Sequence, residues 1–104
     1  MRAVDVVIVW YLYLVRTGQG ALYTGIATDV ERRLSEHRGG IGAKYLRSRG
    51  PLDLVYQAEV GDRSTALRME GALKKLRKER KEAIVSERPT ASELARLLGT
   101  AQDD

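Results

Sequence analysis

Residues Trp10 to His37, WYLYLVRTGQGALYTGIATDVERRLSEH, decide how the whole chain is read. From Val6 to Val15 the sequence is continuously apolar and rich in β-branched and aromatic residues, which predicts a strand covered on both faces. Thr17-Gly18-Gln19-Gly20 has turn chemistry, so Ala21 to Ile26 returns as the second strand of a hairpin. A two-residue turn on Gly18-Gln19 puts Tyr13 and Tyr23 on opposite faces of the sheet. A three- or five-residue loop with a glycine in the left-handed region puts both on the same face. Two available glycines favour the longer loop. Thr28-Asp29-Val30-Glu31 reads as a capping box with Thr28 as N-cap, opening a helix that runs to about Arg38 and stops at Gly39-Gly40. Val30, Arg33, Leu34 and His37 share one narrow arc of that helix, so burying Val30 and Leu34 carries Arg33 and His37 inward.

The totals around this unit are those of one small domain: 104 residues, a single histidine, no cysteine, and a formal charge of +4 with a pI near 9.6. Lack of cysteine excludes a disulfide frame, a thiolate metal site and a thiol nucleophile, and one histidine leaves the usual zinc sets unfilled. The positive balance suits a polyanionic partner without requiring one. Arg2 and the apolar run after it imitate a secretory signal. Asp5 interrupts that pattern, however, and Arg16 closes the run with no small-residue cleavage site after it. The run is also too short to span a bilayer. The expectation is a buried strand in a cytoplasmic protein.

Beyond the first helix, Gly42 to Gly50 forms a basic connector with room for one helical turn. Leu52 to Val60 alternates, with Leu52, Leu54, Tyr56, Ala58 and Val60 on one side, which predicts a half-exposed strand at the sheet's edge. Asp62 or Ser64 caps a second long helix reaching about Glu79, with Ala66, Met69, Leu73 and Leu76 as its buried stripe and Glu70 inside that stripe. Lys81 to Ser86 reads as a short third helix. Thr90-Ala91-Ser92-Glu93 is a further capping box, opening a last helix through Leu98 that Gly99 ends before a loose acidic tail, Ala101 to Asp104. Residues 1–88 are expected to form the main domain, and 89–104 a C-terminal helix and tail packed on it or trailing from it.

Several side chains in this arrangement carry chemistry. Glu70 in an apolar stripe must be paired, hydrated or bound to a cation. An i,i+4 pair with Lys74 is the bland solution. Coordination of Mg²⁺ or Mn²⁺, which accept one carboxylate plus waters and substrate phosphate, is the sharper one. Arg33 either snorkels from a helix edge or grips a phosphate with its planar fork. His37 either suits the helix C-terminus as a cation or accepts a proton or polarises a neighbouring phenol. Tyr13 and Tyr23 are core aromatics by default. A phenol acting as a base at neutral pH needs a nearby cation, because its ordinary pKa is about 10. Lys74, Arg77 and Lys78, with Lys44, Arg47 and Arg49 in the connector, form either solvated faces or a track for a phosphate backbone.

The order Tyr11-Leu12-Tyr13, then Tyr23-Thr24-Gly25, then Asp29 through His37, then Ala66-Leu67-Arg68-Met69-Glu70, resembles the GIY-YIG endonuclease superfamily. The wider wording, including Gly42-Ala43-Lys44-Tyr45, is similar to its small stand-alone bacterial YhbQ-like group. The resemblance covers about residues 8–85 and implies an α+β fold, a three-stranded antiparallel sheet flanked by helices with a site on one sheet face. It also implies hydrolysis of DNA phosphodiester bonds at one Mg²⁺ or Mn²⁺ held by Glu70; the expected substrate is branched or flapped DNA in repair or recombination, with RNA left open. Tyr13 helped by His37 would deprotonate the attacking water, Tyr23 would orient the phosphate or share the base role, and Arg33 would neutralise transition-state charge. The tripeptides read YLY and YTG rather than the family's namesakes, and the chain contains no asparagine, which many family nucleases carry downstream of the glutamate. A non-catalytic nucleic-acid-binding module or adaptor on the same fold is the competing expectation.

Overall fold

The structure is a computed structural model that describes residues 7–101. Its centre is a three-stranded antiparallel sheet of order β2-β1-β3, from β1 (Trp10–Thr17), β2 (Leu22–Ala27) and β3 (Leu52–Gly61). Among the described residues four α-helices surround it: α1 (Val30–Arg38), α2 (Arg63–Lys74), α3 (Lys78–Glu87) and α4 (Ala91–Leu98). The fold is α+β, as the sequence predicts. Among the described residues no helix is long and apolar enough to cross a membrane.

Strand β1 is central, and the apolar run explains why: Leu12, Tyr13, Leu14 and Val15 are all buried, alternate residues facing opposite layers. Leu12 and Leu14 pack with Met69, Leu73, Ile84 and Leu94 from α2, α3 and α4. Tyr13 and Val15 pack with Val30 and Leu34 of α1 and with Leu46 and Leu52. The strand starts later than its composition predicts, at Trp10; Val7 and Ile8 are exposed and unpaired in the sheet, and Val6 lies outside the described residues. Apolar character marks what can be buried, but the ladder on β3 ends opposite Trp10, at Gly61.

The hairpin has a three-residue loop. Thr17 N–H donates to the Ala21 carbonyl, and Gly20, at φ +87°, takes the left-handed conformation that closes the loop. In this register Val15 faces Tyr23 and Tyr13 faces Gly25, so both tyrosines lie on one face.

Strand β3 holds an unexpected turn of face. Its pairing with β1 slips between Leu14 and Val15, so that Leu14 faces Tyr56 while Val15 faces Leu54. The extra residue, Val55, is a β-bulge. Leu52 and Leu54 therefore join the α1 layer, and Tyr56, Ala58 and Val60 join the opposite one. The sequence alternation assigns all five to one side; the bulge divides them. The edge position of β3 is as expected.

Three helix boundaries differ from expectation. The N-cap of α1 is Asp29, not Thr28: its carboxylate accepts from Arg32 N–H, one residue later than the capping-box pattern implies. Helix α2, capped by Asp62 through Thr65 N–H, ends at Lys74 rather than near Glu79. After two tightened turns, Leu76 packs on the core and α3 begins at Lys78, so the third helix is longer and earlier than read. Helix α4 keeps its predicted capping box between Thr90 and Glu93 and its left-handed Gly99. Of the acidic tail, residues 102–104 lie outside the described residues.

Candidate active site

Tyr13 and His37 form the buried heart of the α1 layer, at 2% and 3% exposure. The Tyr13 hydroxyl and His37 Nε2 are 2.9 Å apart. The other imidazole nitrogen settles the direction of that bond. His37 Nδ1 lies 3.1 Å from the Ala43 backbone N–H, a group that can only donate, so Nδ1 is an acceptor. The ring is therefore neutral with its proton on Nε2, and it donates to the Tyr13 oxygen. Burial and the neighbouring Arg33 cation both lower the His37 pKa, in keeping with a neutral ring. The Tyr13 proton is left free to point away from the imidazole.

Two glycines make room for this pair. A Cβ at Gly25, opposite Tyr13 on β2, would lie 2.4 Å from the phenol ring carbon bearing the hydroxyl. A Cβ at Gly42 would lie 2.1 Å from His37 Nδ1. The glycine of Tyr23-Thr24-Gly25 thus has a packing reason: the phenol of Tyr13 lies directly over its Cα.

The other predicted residues gather around this core. Tyr23 presents its ring edge-on to His37 at 5.7 Å and stacks on Tyr45 at 6.0 Å. Arg33, one turn before His37 on α1, ion-pairs with Glu36 at 3.0 Å. Burial, chiefly, pushes the Tyr13 phenol up to about 12, with Tyr23 adding to the effect and the Arg33 cation opposing it.

Glu70 arrives from the other side. It sits on α2, which packs on the opposite face of the sheet, and lines a cleft beside the edge strand β2. There it shares a cleft of about 480 Å³ with Arg33, Glu36, Ile26 and Ala27. Its carboxylate pairs with Lys74 at 3.4 Å and keeps 18% of its side-chain surface exposed. The four residues Tyr13, Tyr23, Arg33 and His37 share one sheet face as the resemblance implies, but the glutamate does not. Among the described residues no cluster of three or more His, Cys, Asp or Glu side chains exists. A divalent ion of the Mg²⁺ type is satisfied by one carboxylate with waters and a substrate phosphate, and a half-open cleft holding Glu70 beside Arg33 suits that donor set.

The six basic residues divide into groups. Lys44 and Arg47 are exposed in the connector, which contains a single 3₁₀ turn at Lys44–Leu46. Arg49 lies over the Tyr45 ring at 4.2 Å. Lys74 closes α2, whereas Arg77 and Lys78 open α3, so the basic run is not one face of Glu70's helix. Reading by residue type missed Trp10 and Arg63, which line the Glu70 cleft, and Tyr45 and the Ala43 N–H, which hold Tyr23 and His37. Gly42 was the available signal for the last.

Comparison with known proteins identifies the family and the fold. The family described as the GIY-YIG catalytic domain matches residues 9–83. A UPF0213 protein of Yersinia enterocolitica is 53% identical over 94 residues, covering 90% of this chain and 95% of the relative. A UPF0213 protein of Yersinia pestis is 56% identical over 80 residues, covering 77% and 84%. Among solved structures, the UPF0213 protein BH0048 from Bacillus halodurans is 38% identical with a TM-score of 0.52, over 89% of this chain and 99% of that one. Protein EF2693 from E. faecalis is 37% identical with a TM-score of 0.55, over 76% and 84%. This chain belongs to the GIY-YIG family, among its small UPF0213 members.

Proposed function

We propose that the chain is a metal-dependent endonuclease that hydrolyses DNA phosphodiester bonds, acting in the cytoplasm on branched or flapped DNA during repair or recombination. The observation that carries this reading is that Arg33 and Glu70, from helices on opposite sides of the sheet, line one cleft, with the buried Tyr13 phenol near enough to feel both charges.

In this reading Glu70 would hold one Mg²⁺ or Mn²⁺, which would supply charge neutralisation for the phosphate and a lowered pKa for water. Arg33 turns from Glu36 to the phosphate and stabilises the charge that builds on its oxygens. Tyr13 is the general base. With its pKa near 12 in the free protein it is almost wholly protonated at neutral pH, so it needs added positive charge in the cleft to lose its proton to solvent. His37 does not take that proton. Its Nε2–H donates to the phenol oxygen and steadies the phenolate, which then accepts a proton from water. Tyr23, beside His37, orients the phosphate.

A binding module without catalysis is the second reading. It is favoured by the pairing of Glu70 with Lys74 and of Arg33 with Glu36, which satisfies both groups without substrate. Cleavage of branched, flapped and linear DNA in Mg²⁺ or Mn²⁺ separates the two. The nuclease reading expects metal-dependent nicking that Glu70→Ala and Arg33→Ala both abolish while the thermal midpoint is kept. Salt-sensitive DNA retention with no scission by any of the three proteins leaves the binding module standing instead.

A further inference from the structure

The cleft that holds Glu70 and Arg33 has a wall that the phosphodiester chemistry does not use. Trp10, the first residue of β1 and the chain's only tryptophan, is half-buried there. Arg63, the first residue of α2, is exposed and places its guanidinium carbon 5.8 Å from the indole centroid. Leu67, one turn further along α2, remains 41% exposed against the same space. Leu12, Tyr13 and Leu14 further along β1 are buried, whereas Trp10 stays half-open beside an exposed leucine, which makes a surface suited to a flat apolar partner.

The second cation–aromatic pair provides a contrast. Arg49 lies 4.2 Å from the Tyr45 centroid and also donates to the Tyr45 carbonyl and to Gln19, which makes a closed stack. Arg63 is looser on Trp10 and has no hydrogen bond or ion pair to another side chain among the described residues. A small outward swing of an exposed side chain at the start of a helix opens the indole face. A planar base with a phosphate attached needs such a pairing of aromatic face and guanidinium.

We propose that Trp10 and Arg63 form a nucleotide subsite, in which the indole stacks on a DNA base adjoining the scissile phosphate and Arg63 pairs with that nucleotide's backbone phosphate. The position relative to the scissile bond rests on the nuclease reading; the stacking does not. Because Trp10 is the sole tryptophan, its emission reports the subsite directly.

The test titrates the full chain in EDTA with a short single-stranded deoxyoligonucleotide, and with an abasic sugar-phosphate strand of equal length. The expected result is quenching of Trp10 by the base-bearing strand and not by the abasic one. Trp10→Leu weakens binding of the base-bearing strand by roughly five- to a hundredfold and leaves abasic binding unchanged. Arg63→Gln weakens both and lowers the salt slope by about one. Equal quenching by both strands, no binding of either, or unchanged affinity in Trp10→Leu overturns the subsite. If Trp10→Leu fails to fold, wild-type emission and Arg63→Gln decide. The subsite falls and the nuclease reading stands if Trp10→Leu cleaves with an unchanged KM. Base-dependent quenching without any scission in Mg²⁺ gives the reverse.

Discussion

At the scale of single residues, the site depends on two absences of a side chain. Gly25 and Gly42 are kept bare by the Tyr13 ring and the His37 ring, which occupy the volume a Cβ would need. Gly25→Ala is expected to destabilise the fold by about 1–3 kcal/mol through overpacking. In a Tyr13→Leu background, where the colliding atoms are gone, most of that cost should vanish. Urea unfolding of the four proteins in this cycle measures the coupling, and additive effects would exclude the contact as its cause. His37 gives a second prediction, in pH. Its folded pKa lies below the ordinary 6.5, because burial and Arg33 disfavour the cation. Between those two values the unfolded chain binds the extra proton, so stability should fall as pH drops through 6.5 toward the folded pKa. His37→Gln should flatten that slope; an equal slope in both proteins assigns it to other groups. Tyr13, Tyr23, Arg33 and His37 could be read from the sequence because one arc of helix and one hairpin register place them together. The imidazole tautomer could not, since it is set by a backbone N–H six residues away, at Ala43.

At the scale of elements, the local capping signal of α4 held and that of α1 was off by one residue, whereas the boundaries set by distant partners were missed. Thr90 and Glu93 satisfy each other within one turn, so the start of α4 was legible. The bulge at Val55 is imposed by pairing with β1 and leaves no mark in the alternation of β3. The end of α2 is equally non-local. Lys74 to Lys78 contains no glycine or proline, yet the helix breaks there, and Leu76 in the break and Ile84 beyond it both pack on the core that Leu12 and Leu14 begin. Helix α4 belongs to the same packing. Leu94 is fully buried in that cluster, and the Tyr56 hydroxyl donates to the Pro89 carbonyl at 2.7 Å. Leu94→Ala should therefore cost about 2–5 kcal/mol. The measurement is a urea midpoint with the slope of the transition checked for change. A loss below about 1 kcal/mol would mean that α4 contributes little to the main core.

At the scale of the whole molecule, the charge of +4 matters less than its placement. The hairpin tip at Gly18 to Gly20 draws two basic segments together that are far apart in sequence. Arg49 reaches Gln19 at 3.4 Å, and Lys78 Nζ lies 4.0 Å from the point where a side chain on Gly20 would start. Trp10 and Arg63 stand at the opposite end of β1, with the Tyr13–His37 pair between. A DNA strand crossing from the tip to the cleft would meet Lys78 and Arg49 first, then the Tyr45–Tyr23 stack, then Arg33 and Glu70. Each cation neutralising a phosphate releases counterions, so log affinity falls with log salt in proportion to their number. Arg49→Gln with Lys78→Gln should reduce that slope by about two, and weaken binding uniformly across sequences, without moving the thermal midpoint appreciably. Lys81→Gln, later on α3, is the comparison for general loss of charge. If the tip pair and Lys81→Gln change the slope equally per charge removed, DNA is drawn by net charge alone and no track runs along the hairpin. A slope that responds only to the tip pair places one end of the path at the hairpin tip.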